Sequence, residues 1–123
     1  MGRVEDGRPY GWGRLHAALQ VLEGLGEGRT ALGLSPELRK TTNTPRNNFE
    51  LLLQKAGRHL LLARERGGPH AEAAAVVFGD VAGLVAPERM SRDGLKQREV
   101  AEFHQGYAHQ LGLYREKWGA LVP

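Results

Sequence analysis

The side chains of this chain with the most binding chemistry are cations and amides gathered around Lys40-Thr-Thr-Asn-Thr-Pro-Arg-Asn-Asn48. Arg39, Lys40 and Arg46 bracket a Thr/Asn-rich link, and Arg46, Asn47 and Asn48 occupy the first turn of a helix that should begin at Pro45. At such a turn the unpaired backbone N–H groups and the positive end of the helix dipole already favour an anion. Lys55 and Arg58 follow one turn apart on the same helix, with His59 on its flank. A second set, Arg89, Arg92 and Lys96, has helical spacing, with Arg98 close behind. Each cluster taken alone reads equally as a solvated helix face. Two clusters plus a helix N-terminus together point to a nucleic-acid backbone.

Net charge does not carry that reading, because 17 basic residues against 14 acidic ones leave only +3. Attraction to phosphate would have to be local. Of the basic residues 13 are Arg and 4 are Lys. That bias suits bidentate phosphate or carboxylate contacts, and it also accompanies GC-rich coding sequence.

Other candidate chemistry is thinner. Gly24-Leu-Gly-Glu-Gly-Arg-Thr30 has closely spaced glycines. A phosphate-cradling loop of the nucleotide-binding kind, however, needs Lys-Ser/Thr after its last glycine and a strand before its first. This tract follows a helix and reads as a connector. The histidines, His16, His59, His70, His104 and His109, include no pair at i, i+4. His104 and His109 point about 140° apart on a helix, so no local metal site is expected. His59 and His109 read as hydrogen-bonded residues at the margin of the core. Glu99 and Glu102 are neighbours on a helix, as carboxylates on solvated faces commonly are. Cysteine is absent, which excludes disulfides, thiolate nucleophiles and zinc fingers. The expectation is a protein that is not an enzyme and needs no cofactor or metal.

The elements that must position these residues are helices. Leu15, Ala18, Leu19, Leu22 and Leu25 form one stripe of a helix over 10–25, which should dissolve in the glycines from Gly24 onward. A short helix is expected from Ser35, with Pro36 in its first turn, ending before Thr41-Thr42-Asn43. Thr44 as N-cap and Pro45 at the first helical position open a longer one. Its buried stripe is Phe49, Leu52, Leu53, Ala56, Leu60 and Ala63, and Gly67-Gly68 stops it. From Pro69 the alanine-rich helix continues through Ala73, Val76, Val77, Val81 and Leu84 to Pro87. Ser91 is expected to cap the last helix, whose seam is Val100, Phe103, Tyr107, Leu111, Tyr114 and Trp118.

No stretch alternates as a strand does. The expected fold is all-α, an antiparallel bundle of four main helices plus one short helix. It forms a single domain over 10–123, with Met1 to Pro9 poorly ordered. No run of about 18 apolar residues and no hydrophobic signal core occur, which predicts a cytoplasmic protein without membrane contact.

Three tracts, in order, carry a resemblance to a known family: Gly13-Arg-Leu-His-Ala-Ala-Leu-Gln-Val-Leu-Glu23, then Thr44-Pro45 with Phe49, Leu52-Leu53 and His59-Leu60, then Gly106-Tyr-Ala-His-Gln110. Together they resemble the C-terminal helical region of the type I-C CRISPR large subunit, which type I-C systems also make as a separate small subunit. After Gln110 that family tends to continue with a basic residue, where this chain has Leu111-Gly112. The resemblance implies a non-catalytic small subunit of the CRISPR surveillance complex (Cascade), serving antiviral defence. Its implied partners are the backbone and large subunits, the crRNA-containing complex, other copies of itself, and target DNA including the displaced strand. A stand-alone helix-turn-helix regulator and a purely protein-interacting bundle are the rival readings.

Overall fold

The computed structural model describes residues 9–28, 41–42, 44–84 and 94–121. Four α-helices make up almost all of these: α1 (Pro9–Glu27), α2 (Pro45–Arg66), α3 (Gly68–Leu84) and α4 (Gln97–Trp118). A 3-10 turn at Gly119–Leu121 follows α4. There is no strand among the described residues, so the fold is an all-α bundle. The short helix expected from Ser35 and the stop expected at Pro87 lie outside the described residues.

α1 is the axis of the molecule, and α2, α3 and α4 all pack against it. Its expected stripe is buried, but so are Trp12, His16, Ala17, Gln20 and Val21. A helix buried around most of its circumference is what a central helix requires. Each large apolar side chain removed from water here contributes about 1.5–3 kcal/mol. Pro9, expected in a poorly ordered N-terminus, is instead buried as the first residue of α1, where its missing N–H is harmless.

α1 also runs past the point where glycines were expected to end it, through Gly24 and Gly26 to Glu27. Gly26 is a contact residue, not a breaker, since a Cβ there would lie 2.4 Å from the carbonyl oxygen of His59 on α2. Two more glycines do the same between α1 and α4. A Cβ at Gly13 would lie 1.9 Å from the Phe103 carbonyl oxygen, and one at Gly106 would lie 1.9 Å from that of Tyr10. The two helices thus touch backbone to backbone through reciprocal glycines, which only residues without a side chain allow.

The C-terminal end of α1 is tied to α2. Arg66 donates through Nη1 to the Leu25 carbonyl at 2.8 Å, satisfying one of the last-turn acceptors that a helix leaves open. His59 Nε2 and Glu27 Oε2 meet at 3.0 Å beside it. Replacing Arg66 by alanine should lower stability by about 1 kcal/mol, read as a reduced urea midpoint at unchanged m-value.

α2 has the boundaries its sequence implies. Phe49, Ala56 and Ala63 are buried, with Leu52, Leu53 and Leu60 half-buried against the core. Gly67 takes the left-handed conformation at φ 73°, and its N–H bonds back to Ala63 and Arg64. Thr44 stands at the N-cap position without a side-chain capping bond, so Pro45 rather than a cap starts this helix. In α3, Ala73, Ala74, Val77 and Val81 face the core. Val76, expected in that stripe, is 43% exposed, because it stands on the flank of the helix rather than on the side that meets α1.

α4 begins at Gln97, later than a cap at Ser91 would have it, and Ser91 itself lies outside the described residues. Lys96 is the N-cap residue, and its backbone N–H donates to Glu99 Oε1 at 2.9 Å. That bond gives Glu99 a structural role. The seam is as expected, with Phe103, Tyr107, Leu111 and Tyr114 buried and Trp118 half-buried.

Helix direction departs from an up-and-down bundle in one respect. α2 and α3 form an antiparallel hairpin about Gly67, but α1 and α2 run side by side in the same sense. His16 meets Phe49 near one end and Gly26 meets His59 near the other. The connection between α1 and α2 is long enough to return the chain to the starting end.

Candidate nucleic-acid interface

Of the eight cations singled out by their spacing, Arg46, Lys55, Arg58 and Lys96 fall within the described residues, while Arg39, Lys40, Arg89 and Arg92 lie outside them. Arg46 is half-buried in the first turn of α2, and Lys96 is exposed at the first turn of α4. These two turns share one end of the molecule, because the Leu95 N–H donates to the Thr42 carbonyl at 2.8 Å, tying the start of α4 to the approach to α2. Asn47 and Arg98 are exposed beside them. Two helix N-termini with Arg46, Asn47, Lys96 and Arg98 therefore converge from sequence positions some fifty residues apart.

Lys55 and Arg58 do not join this end. Both are exposed on the outer surface of α2, and the nine residues from Arg46 to Lys55 turn the helix through about 180°. Their neighbours are apolar. Leu51 is 53% exposed and Leu61 is 58% exposed, a mixture that spacing of charges alone does not disclose.

Asn48, one of the amides expected to face an anion, is turned inward. It is buried and donates through Nδ2 to Thr41 Oγ1. The same hydroxyl meets His16 Nε2 at 2.8 Å. His16 is fully buried, with the rings of Phe49, Phe103 and Tyr107 edge-on around it. No partner meets its Nδ1 among the described residues. Burial holds the imidazole pKa down at about 3, so at neutral pH this is an uncharged core residue. Sequence reasoning missed it: nothing in the spacing of a single histidine on a leucine-rich helix marks the centre of the molecule.

A second polar thread crosses the helices. Arg14 Nε donates to Gln110 Oε1 at 2.8 Å, and Tyr114 donates its hydroxyl to Asp80 at 2.7 Å. Burial, then the Asp80 carboxylate beside it, push the Tyr114 phenol well above its ordinary pKa. It therefore stays protonated and serves as a donor. The Tyr107 hydroxyl donates to Gln20 within the core. His59 is buried as expected, but His109 is exposed and bonds the Tyr10 hydroxyl at the surface.

Comparison of the chain with protein-family models, curated proteins and solved structures finds no match. Its site must be judged on its own geometry. Among the described residues no group of three His, Asp or Glu side chains could hold a metal ion, and no helix is long and apolar enough to cross a membrane. The polar threads are interhelical ties with their donors and acceptors matched to each other. What remains available to a ligand is the cationic end formed by α2 and α4, whose donors suit phosphate oxygens and carry no means of reading bases.

Proposed function

We propose that this chain is the non-catalytic small subunit of a type I-C CRISPR-Cas interference complex. In this reading it braces the crRNA-bearing backbone and makes sequence-independent contacts to target DNA, above all to the displaced strand. One observation carries the proposal. The tracts that resemble the family, scattered over about a hundred positions of sequence, meet in space: Gly13 lies against Phe103, Gly106 against Tyr10, and Arg14 bonds Gln110. Residues that resemble a family at the points where helices touch resemble it in what builds the fold.

The nucleic-acid role follows from the physics of such a complex. Guide pairing reads the sequence, so the protein needs only backbone contacts. Local cations on a chain of small net charge suffice, leaving acidic surfaces for protein neighbours. Arg46 and Lys96 at the shared end of α2 and α4, with Arg39 and Lys40 preceding them, form the first set. Lys55 and Arg58, with Arg89 and Arg92, form the second.

Replacing Arg39, Lys40 and Arg46 together by glutamine should weaken target-DNA binding by the reconstituted complex. It should also reduce the slope of log K against log salt by about 2, at roughly 0.7–0.9 per lost phosphate contact. An intact complex with unchanged affinity and slope would remove these residues from the interface. Sequence-selective duplex binding by the isolated chain would instead favour a regulator.

A further inference from the structure

The groove between α2 and α3 is lined by Leu60 and Arg64 on one bank and by Ala71, Glu72, Ala75 and Phe78 on the other. Its two banks differ in size and in sign. On the α2 bank Leu61 stands beside Leu60 and is 58% exposed, and the charge is Arg64. On the α3 bank Ala75, Gly79 and Ala82 are exposed, and the charge is Glu72. Arg64 and Glu72 make no ion pair with each other. Beyond Glu72 the outward positions Ala75, Val76, Gly79, Ala82 and Gly83 carry no charge at all.

Gly79 adds to the case. A glycine inside a helix costs about 1 kcal/mol relative to alanine, and at Gly13, Gly26 and Gly106 that cost is offset by a backbone contact with a neighbouring helix. A Cβ at Gly79 would meet nothing within 4 Å, so no contact inside this chain accounts for it.

A surface that is bulky and cationic on one bank, small and anionic on the other, is complementary to itself under a two-fold rotation about an axis lying along the groove. Arg64 and Glu72 stand at similar levels of the antiparallel hairpin, one just before and one just after its Gly67 turn. The rotation therefore sets Arg64 of each copy against Glu72 of the other. It lays Leu60 and Leu61 of each copy over the Ala75, Gly79 and Ala82 bank of the other. We propose that the α2–α3 groove is a self-pairing face through which two copies of this chain associate about a two-fold axis. An isologous contact demands such self-complementarity, whereas a foreign apolar helix would meet the leucines without needing both charges. The inference concerns the isolated chain and does not depend on the nucleic-acid reading.

The test is sedentation-equilibrium ultracentrifugation of the purified chain, its Arg64→Glu and Glu72→Arg variants, the double reversal, and an equimolar mixture of the two single variants. A face of two helices predicts a dimer with Kd on the order of tens of micromolar. Each single reversal opposes like charges twice and should raise Kd at least about tenfold. The double reversal should restore pairing, and the mixture should form a heterodimer in which every cross-copy pair is again attractive. Both positions are exposed, and unchanged helical circular dichroism checks that the variants fold. A chain that stays monomeric up to about 1 mM overturns the proposal, as does a dimer indifferent to the single reversals.

Discussion

Replacing Gly106 by alanine is expected to lower stability by about 3 kcal/mol or more, and Gly13→Ala to do the same. The added methyl would sit 1.9 Å from a backbone carbonyl oxygen in each case, so the obstacle cannot rotate away as a side chain would. The helices must separate along α1 and α4, loosening Phe103 and Tyr107 against α1. Overpacking of this kind usually costs about 1–3 kcal/mol when side chains can adjust, and here backbone must move. Alanine's better helix propensity returns only about 1 kcal/mol. Thermal unfolding followed by circular dichroism should show the midpoint fall by about 10 °C or more. Gly112→Ala is the control, on the same α4 but with open space around its Cβ, and it should leave the midpoint unchanged or slightly raised. Equal effects at Gly112 and Gly106 would mean that the close helix approach is not what these glycines provide.

The second large effect is loss of stability in mild acid through His16. The ring has its ordinary pKa of 6.5 in the unfolded chain and about 3 in the fold, because burial penalises the charged form. The unfolded state therefore takes up the proton first. The stability tied to this group is fully present above pH 6.5 and is lost as pH falls from there toward 3, at about 1.4 kcal/mol per pH unit. Between pH 7 and pH 4.5 the loss from this residue alone should be about 2.5 kcal/mol. Urea unfolding of the protein and of His16→Gln across that interval separates this term from the carboxylates. Glutamine can still reach Thr41 but does not titrate, so its stability should fall less steeply by up to one proton's worth of slope. Parallel pH profiles for the two proteins would show that His16 is not the acid-sensitive element, whatever the absolute stability of the variant.

The helices were legible where local rules decide them. Pro45 and Gly67 bound α2 as their chemistry demands, and the steps of three and four from Phe103 to Tyr114 put one face of α4 in the core. Legibility failed where a residue's meaning depends on what lies across from it. Gly26 looked like a helix breaker because a glycine's local cost is visible in sequence and its contact with His59 is not. Asn48 looked like a free donor at a helix start because Thr41, its actual acceptor, approaches from a preceding segment. Val76 was counted inward because the alanine-rich helix offers almost no polar residue by which to orient it.

The candidate interface divides in the same way. Lys55 and Arg58 share a face by spacing alone, and that much holds. Arg46 and Lys96, by contrast, share an end only because Leu95 bonds to Thr42 across the fold, and no periodicity connects positions so far apart. By itself the sequence determined the all-α class, three of the four helix cores and the small local excess of cations, since these depend on the 3.6-residue period, on caps and on composition. The tertiary structure decided that α1 is central, that glycines serve as contacts, that His16 is held uncharged and that two helix starts converge. Those features arise from backbone approach and burial between distant segments, energies that exist only once the helices have come together.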